Sequence, residues 1–454
     1  MHRWSPHHRI PNRKSNNVRS VQAAPPLILS LSFLGIILVG TAVLMLPGMS
    51  VTPISWIESF FTATSAVTVT GLVIVDTGST FTVLGQTVIA ILIQIGGLGL
   101  MTFAVVTLIA LGGKISFLQQ SAIKEAFNQT NLTTLVSTAK SVLAFAFIVE
   151  FIGFSILSIY WLQEKTWADA LFHAFFYTVS AFNNAGFALS PDSLSAYVGD
   201  PVINLTITGL FIIGGLGFSV WLELLKKRTW QTLSVYTKTM VSGTVVINII
   251  ALVLIYWIEK NNVNTLAALD ANSTFWASWF QAVTPRTAGF NTLDIASLED
   301  ATTTLMLLLM FIGGGSMSTA SGIKVVTFIV LLLATVNYLR RGPAPTLYGK
   351  AITDDTVKKA LAFTLISAGI TWIAIFGLLI TEEADFLDVV FEVVSALGTV
   401  GLSRGITGEL SQTGEVIIIL LMYMGRLGPL TIAYMIASPK DVRVKYPKSQ
   451  LPIG

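Results

Sequence analysis

A pattern that occurs four times without a gap constrains this chain more than any other feature. The stretch Phe61–Leu72 (FTATSAVTVTGL) returns as Phe176–Phe187 (FYTVSAFNNAGF), Trp279–Phe290 (WFQAVTPRTAGF) and Phe391–Leu402 (FEVVSALGTVGL). Each copy opens on an aromatic residue and closes on a glycine followed by Leu or Phe, which places Gly71, Gly186, Gly289 and Gly401 in register. The glycines lie 115, 103 and 112 residues apart. Self-similarity at so long a period implies a stacked array or four elements about an axis.

The surroundings of the motif repeat with it. An apolar helix precedes each copy (27–46, 141–162, 240–258, 360–380), and a longer apolar one follows (81–111, 202–225, 302–339, 415–437). Each second helix carries a glycine marker 24 to 28 residues after the motif glycine: Gly96-Gly97-Leu98-Gly99, Gly214-Gly215-Leu216-Gly217, Gly313-Gly314-Gly315-Ser316 and Gly425-Arg426-Leu427-Gly428. Only 11% of the residues are charged and 53% are hydrophobic, where a soluble domain has about a quarter charged. Runs near the roughly 20 residues that span hydrocarbon make this a polytopic membrane protein. The middle segment, at about 12–15 residues, is too short to span and suits a re-entrant helix.

Charge sets the orientation. Of the 27 Lys and Arg, 21 lie in the N-terminal tail, the linkers between units and the C-terminus, so the positive-inside rule puts all of those segments in the cytoplasm. Each unit then starts and ends inside, which two spans and a re-entrant middle satisfy. Most acids, among them Glu58, Asp76, Asp192, Asp270, Asp294, Glu382 and Glu409, fall on the opposite face, where a net-acidic mouth would concentrate cations. The expected fold is an all-α membrane protein of four parallel helix–pore helix–helix repeats around a central pore, with eight transmembrane helices and four re-entrant loops. Its units are 25–113, 139–228, 238–341 and 357–438, between a basic tail (1–24) and a C-terminal tail (439–454), both cytoplasmic. The N-terminus reads as a topology signal rather than a cleaved signal peptide or a nucleic-acid-binding arm.

Parallel repeats share an axis along the membrane normal, so four loops meet at the centre. Non-helical backbone at that depth must line a watery path or be buried in protein. The four tips are Thr68-Val69-Thr70-Gly71, Asn183-Asn184-Ala185-Gly186, Arg286-Thr287-Ala288-Gly289 and Gly398-Thr399-Val400-Gly401. None contains Asp or Glu. Carbonyl rings, which replace the hydration shell of potassium, therefore fit better than a carboxylate ring, and they favour a dehydrated monovalent ion over calcium. With no cysteine, four histidines of which three lie in the first eight residues, and no HExxH, the chain offers no constellation for an enzyme or a bound metal.

Across residues 25–440 these motifs resemble the Trk/Ktr/HKT superfamily of potassium transporters, and most of all the membrane subunit of bacterial Ktr systems. The resemblance implies that the four glycines form a selectivity filter. Gly71, where plant relatives favouring sodium carry Ser, then implies potassium selectivity. It also implies a homodimer in the bacterial cytoplasmic membrane among lipid, a cytosolic ring of nucleotide-binding RCK-type subunits as partner, and sodium as a candidate activator. A sodium-selective or poorly selective channel of the same fold is the first alternative. An alternating-access transporter is the second, disfavoured because its repeats are usually inverted.

Two intramembrane features remain. The third second-helix is interrupted by Gly313, Gly314, Gly315, Ser316, Met317, Ser318, Thr319, Ala320, Ser321 and Gly322, too many poor helix formers to continue a helix. Arg426 is an intramembrane charge, costly and functional by default. The resemblance makes the first a gating loop beneath the filter and the second its pore-facing gate residue. Arg286 is expected to point away from the axis and anchor its loop, on an acid if one is near. Glu150 stands as a partner for a buried cation, and Lys324 as a residue that snorkels or pairs.

Overall fold

First helix, middle helix, second helix is the order of elements in each of the four stretches, the second helix being divided in two in the second and third. The computed structural model describes residues 25–110 and 132–428, with side chains placed for 30–99 and 140–428. The two tails, the linker bearing Lys114 and Lys124, and the end of the fourth stretch lie outside the described residues. The first helices are Pro25–Leu44, Leu132–Trp161, Val235–Glu259 and Asp354–Thr381. The middle helices are Trp56–Thr68, Trp167–Phe182, Ala271–Val283 and Phe386–Gly398. A small hairpin pairs Thr346–Leu347 with Lys350–Ala351 between the third and fourth stretches.

Among the described residues three helices are long and apolar enough to cross a membrane, Lys140–Trp161, Val235–Glu259 and Asp354–Thr381, and a bent pair makes a fourth. Their outer faces are apolar. Phe147, Ile148, Phe151 and Ile152 are exposed on one, and Val246, Ile249, Val253 and Trp257 on another. In water such a belt would be an aggregation liability; against lipid tails it costs nothing.

The middle helices have 13, 16, 13 and 13 residues, roughly 20–24 Å at 1.5 Å per residue, short of the ~30 Å hydrocarbon core. Their starts are capped by side chains in three cases. Ser55 and Glu58 form a capping box, Thr166 accepts from the Asp169 amide, and Asp270 accepts from the amides of Asn272 and Ser273. Their last turns are wholly buried: residues 61–68, 176–182, 280–283 and 391–398. Each middle helix thus aims its carbonyl end, with its partial negative charge, into the centre.

Packing between stretches is cyclic. The second helix of the first stretch packs against the middle helix of the second, that of the second against the middle helix of the third, and that of the third against the middle helix of the fourth. The helix Gln412–Leu427 then packs against Trp56–Thr68, returning to the start.

The second helices differ from expectation at their glycine markers. Instead of one apolar helix over 202–225, Pro201–Leu216 and Phe218–Lys226 meet at 92°. The break sits at Gly217, whose φ of 102° and ψ of 134° leave the helical region. Its cause is tertiary: the Phe218 amide donates to the Met317 carbonyl (2.9 Å) instead of to its own helix. Gln412–Leu427 also stops at the last marker glycine, Gly428, with nearly the same angles, φ 88° and ψ 129°. In the first stretch the helix runs through Gly99 to Ala110. In the third it ends at Phe311 and restarts at Val325.

Candidate functional site

Each middle helix ends in the same backbone turn. Two residues before each motif glycine the chain is left-handed: φ is 51° at Val69, 60° at Asn184, 67° at Thr287 and 49° at Thr399. Three of these are β-branched, for which this region is strained, and such strain persists only where the surroundings fix it. The glycines follow with φ of 95°, 72°, 78° and 93° at Gly71, Gly186, Gly289 and Gly401. In three tips the turn is closed by the same pair of bonds: the amides of Val69, Asn184 and Thr399 reach back three residues, and those of Thr70, Ala185 and Val400 reach back five. The third tip, with Pro285, instead bonds Ala288 to Thr284.

The glycines form a closed ring. A methyl group built on Gly71 would collide with the Ala185 carbonyl, one on Gly186 with Gly289 and the Ala288 carbonyl, one on Gly289 with the Val400 carbonyl, and one on Gly401 with the Thr70 carbonyl. Every tip therefore meets the next in chain order, and the fourth meets the first. The carbonyls of Thr70, Ala185, Ala288 and Val400 stand at the same position in each tip. None of them accepts a hydrogen bond from the described residues, although buried carbonyls are ordinarily paired. Four carbonyl oxygens without a hydrogen-bond partner among the described residues thus stand at the same position of four tips, at the carbonyl ends of four helices, and no tip residue is a carboxylate.

Side chains of the tips point back into the protein. Ser65 and Ser395 accept the amides of Gly71 and Gly401 (3.1 Å each), while Ser180 donates to the Phe187 carbonyl (2.8 Å) and Thr284 to that of Phe290 (2.5 Å). Thr68 donates to the Thr64 carbonyl and shares a hydrogen bond with Thr70. Arg286 turns to the first helix of its own stretch, as expected, but its partners are neutral: Asn248 Oδ1 (2.9 Å) and Thr244 Oγ1 (3.2 Å). No acid lies in reach because that helix face carries amide and hydroxyl groups at the level of the tip. Glu150, expected to answer a buried cation, meets two amides, from Gln94 (2.8 Å) and Asn183 (3.4 Å).

Residues 312–324 leave the helix and return. Ile312 and Ile323 bridge the two ends, and the Val325 amide reaches the Gly314 carbonyl. The loop lies against the second stretch's marker. The Gly315 amide donates to Gly215 (2.8 Å) and that of Thr319 to Gly214 (3.3 Å), while the Ser316 amide reaches the Tyr236 hydroxyl (2.8 Å). A Cβ on Gly313 would strike the Ser321 carbonyl, and the chain is left-handed at Met317 and Gly322. Ser318 donates to Gly315, and Lys324 Nζ donates to the Ala320 carbonyl (2.9 Å) rather than to an acid. Thr319 is the hub. Its hydroxyl donates to Asn184 Oδ1 (2.6 Å), tying loop to tip, and its carbonyl accepts from Arg426 Nη1 (2.5 Å). Arg426 also donates to the Gly96 carbonyl (2.5 Å). One guanidinium from the fourth stretch thus joins the loop of the third to the marker of the first.

The structure also explains the marker, which sequence reasoning left as a label. A Cβ on Gly96, Gly214 or Gly425 would overlap the carbonyl of Val67, Phe182 or Leu397, each four residues before its tip glycine. The first marker glycine is where the second helix touches the end of a middle helix. Its fixed spacing from the motif was the available signal.

Comparison with known proteins shows the family and the fold. The TrkH family model, a cation transport protein, matches residues 14–446. The Ktr system potassium uptake protein B of Bacillus subtilis is 46% identical, the match covering 97% of this chain and 99% of that protein. The potassium/sodium uptake protein NtpJ of Enterococcus hirae is 33% identical over 95% of this chain and 97% of its own length. The crystal structure of the potassium transporter TrkH from Vibrio parahaemolyticus shares the fold, with a TM-score of 0.75 at 21% identity over 94% of this chain and 87% of that one. The chain belongs to the TrkH family of cation transport proteins.

Proposed function

We propose that the chain takes up potassium across the bacterial cytoplasmic membrane through a single central pore, with the four glycine tips as its selectivity filter. The observation that carries this is the closed ring of unpaired carbonyls from Thr70, Ala185, Ala288 and Val400. Carbonyl rings stand in for the hydration shell of potassium. The architecture proposed with it is eight spans and four re-entrant loops, all units the same way up, basic linkers and both termini in the cytoplasm. The relatives' names, potassium uptake among them, point the same way.

Loop 313–322 and Arg426 form the gate. Arg426 holds the loop from the side of Thr319 and adds a positive charge that opposes cation passage. By family resemblance the chain works as a homodimer in lipid beneath which an RCK-type nucleotide-binding ring sits, with sodium as activator. The name of the Enterococcus relative, which includes sodium, favours keeping a less selective filter as the second reading.

Rubidium uptake into liposomes holding the purified chain, with sodium as competitor, tests the proposal. Gly71→Ser puts a side chain against the Ala185 carbonyl at a φ of 95°, so it should displace the second tip and lower the preference for potassium by about tenfold, a cost of about 1.4 kcal/mol at the filter. An unchanged preference would remove the filter assignment.

A further inference from the structure

A second site lies beside the ring, on the lipid flank. Between the second helix of the first stretch and the first and middle helices of the second is a cavity of about 490 Å³, within the 300–1,000 Å³ range of small-molecule sites. Its floor is formed by Glu150, Gln94 and Thr178, although the surface it offers is almost wholly apolar. Its mouth is aromatic: Phe147 and Phe151, 58% and 68% exposed, with Phe154 behind them.

Two features of the floor call for a ligand. Glu150 is 93% buried, counting the 7% that remains exposed, yet no ion pair among the described residues involves it. A carboxylate accepts about four hydrogen bonds, and only the Gln94 and Asn183 amides are there to give them. Independently, the hydroxyl of Thr178, 2% exposed, has no hydrogen-bond partner among the described residues. An uncompensated acid at membrane depth is costly, and ring faces add attraction for an organic cation.

We propose that this cavity binds an amphipathic amine or ammonium compound entering from the bilayer, its positive head on Glu150 and its apolar body among the phenylalanines. Charge complementarity selects it over a neutral lipid tail, which would leave the carboxylate unanswered. Occupancy has a route to transport. Asn183 Nδ2 donates to Gln94 Oε1 (2.6 Å) and to Glu150, so a head group on Glu150 competes for the brace behind the second tip. That consequence, unlike the binding, rests on reading Asn183–Gly186 as part of the filter.

The test uses the full chain in lipid nanodiscs and a photoreactive aralkylamine, with its N-acetylated, uncharged analogue as control. Labelled peptides should map to 90–95, 147–154 and 175–179. Labelling should fall at least about tenfold with the acetylated probe and in Glu150→Gln. Phe151→Trp, which narrows the mouth and leaves Glu150 intact, should also reduce it. Equal labelling by both probes, or labelling unchanged in both variants, overturns the site in favour of a lipid groove. Rubidium uptake is read in parallel. Charge-dependent labelling with unaltered uptake upholds the cavity and counts against the filter reading of the second tip.

Discussion

The second helix of the third stretch and those of the other three use similar residues for opposite ends. In the first, second and fourth, the leading marker glycine lets a helix touch the carbonyl end of a middle helix, at Val67, Phe182 and Leu397. In the third, Gly313 lies instead against Ser321 of its own loop. Small residues alone do not choose between these outcomes. A pair of them permits a close helix contact, as membrane helices commonly do. Eight Gly, Ser and Thr within ten residues, broken only by Met and Ala, remove the propensity that would keep the helix, and the freed amides bond to the neighbouring marker at Gly214 and Gly215.

The largest expected effect breaks that comparison at its tightest point. Gly214→Ala drives a methyl group into the Phe182 carbonyl, whereas Gly209 on the same helix has nothing within 4 Å. Gly214→Ala should destabilise by about 1–3 kcal/mol or more, seen as a lower thermal midpoint in detergent, with Gly209→Ala as control. Equal midpoints would deny the close-contact role. Next is Arg426→Ala, which removes the charged bonds to Thr319 and Gly96. Charged hydrogen bonds are worth about 1.5–3 kcal/mol, so rubidium uptake at low driving force should rise roughly tenfold or more. Uptake at the level of the parent chain would remove the latch.

Thr319→Val is milder. It deletes the bond to Asn184 and a longer one to the Phe182 carbonyl, together about 1 kcal/mol, and should raise uptake about fivefold while potassium preference holds. A changed preference would mean that loop and tip act as one unit.

The smallest effect probes a feature the third and fourth stretches share. At the C-terminal end of each first helix a glutamate takes the amide that starts the second: Glu259 that of Glu299, and Glu382 that of Ser411. Burial pushes the Glu382 carboxyl up, but the Ser411 amide and hydroxyl outweigh it and hold it below its usual 4.5. The ionised form therefore supports the fold above pH 4.5, and that support is lost as the pH falls below it. The parent chain should show a small loss of thermal midpoint as the pH falls below 4.5 that Glu382→Gln lacks.

Much of this was legible from the sequence. The fourfold motif located the tips, because a positive-φ turn at a helix end demands glycine in register. The break at 313–322 was visible because composition alone forbids a helix there. Arg286 pointing away followed from electrostatics. What the sequence withheld were outcomes decided by a distant partner. Gly99, Gly217 and Gly428 occupy the same marker position, yet the helix runs through the first and bends at the second because Met317 offers a carbonyl to Phe218. The neutral partners of Arg286 and the amides on Glu150 come from helices dozens of residues away, with no spacing rule to announce them.

The seam between the first and last stretches has a consequence for biosynthesis. Gln412–Leu427 closes the circle on Trp56–Thr68, and Tyr423 donates to the Ser30 carbonyl (2.6 Å) across 393 residues. Translation delivers that last wall after everything else. Until it arrives all four tips are made but Trp56–Thr68 lacks that neighbour and the circle of packing stays open.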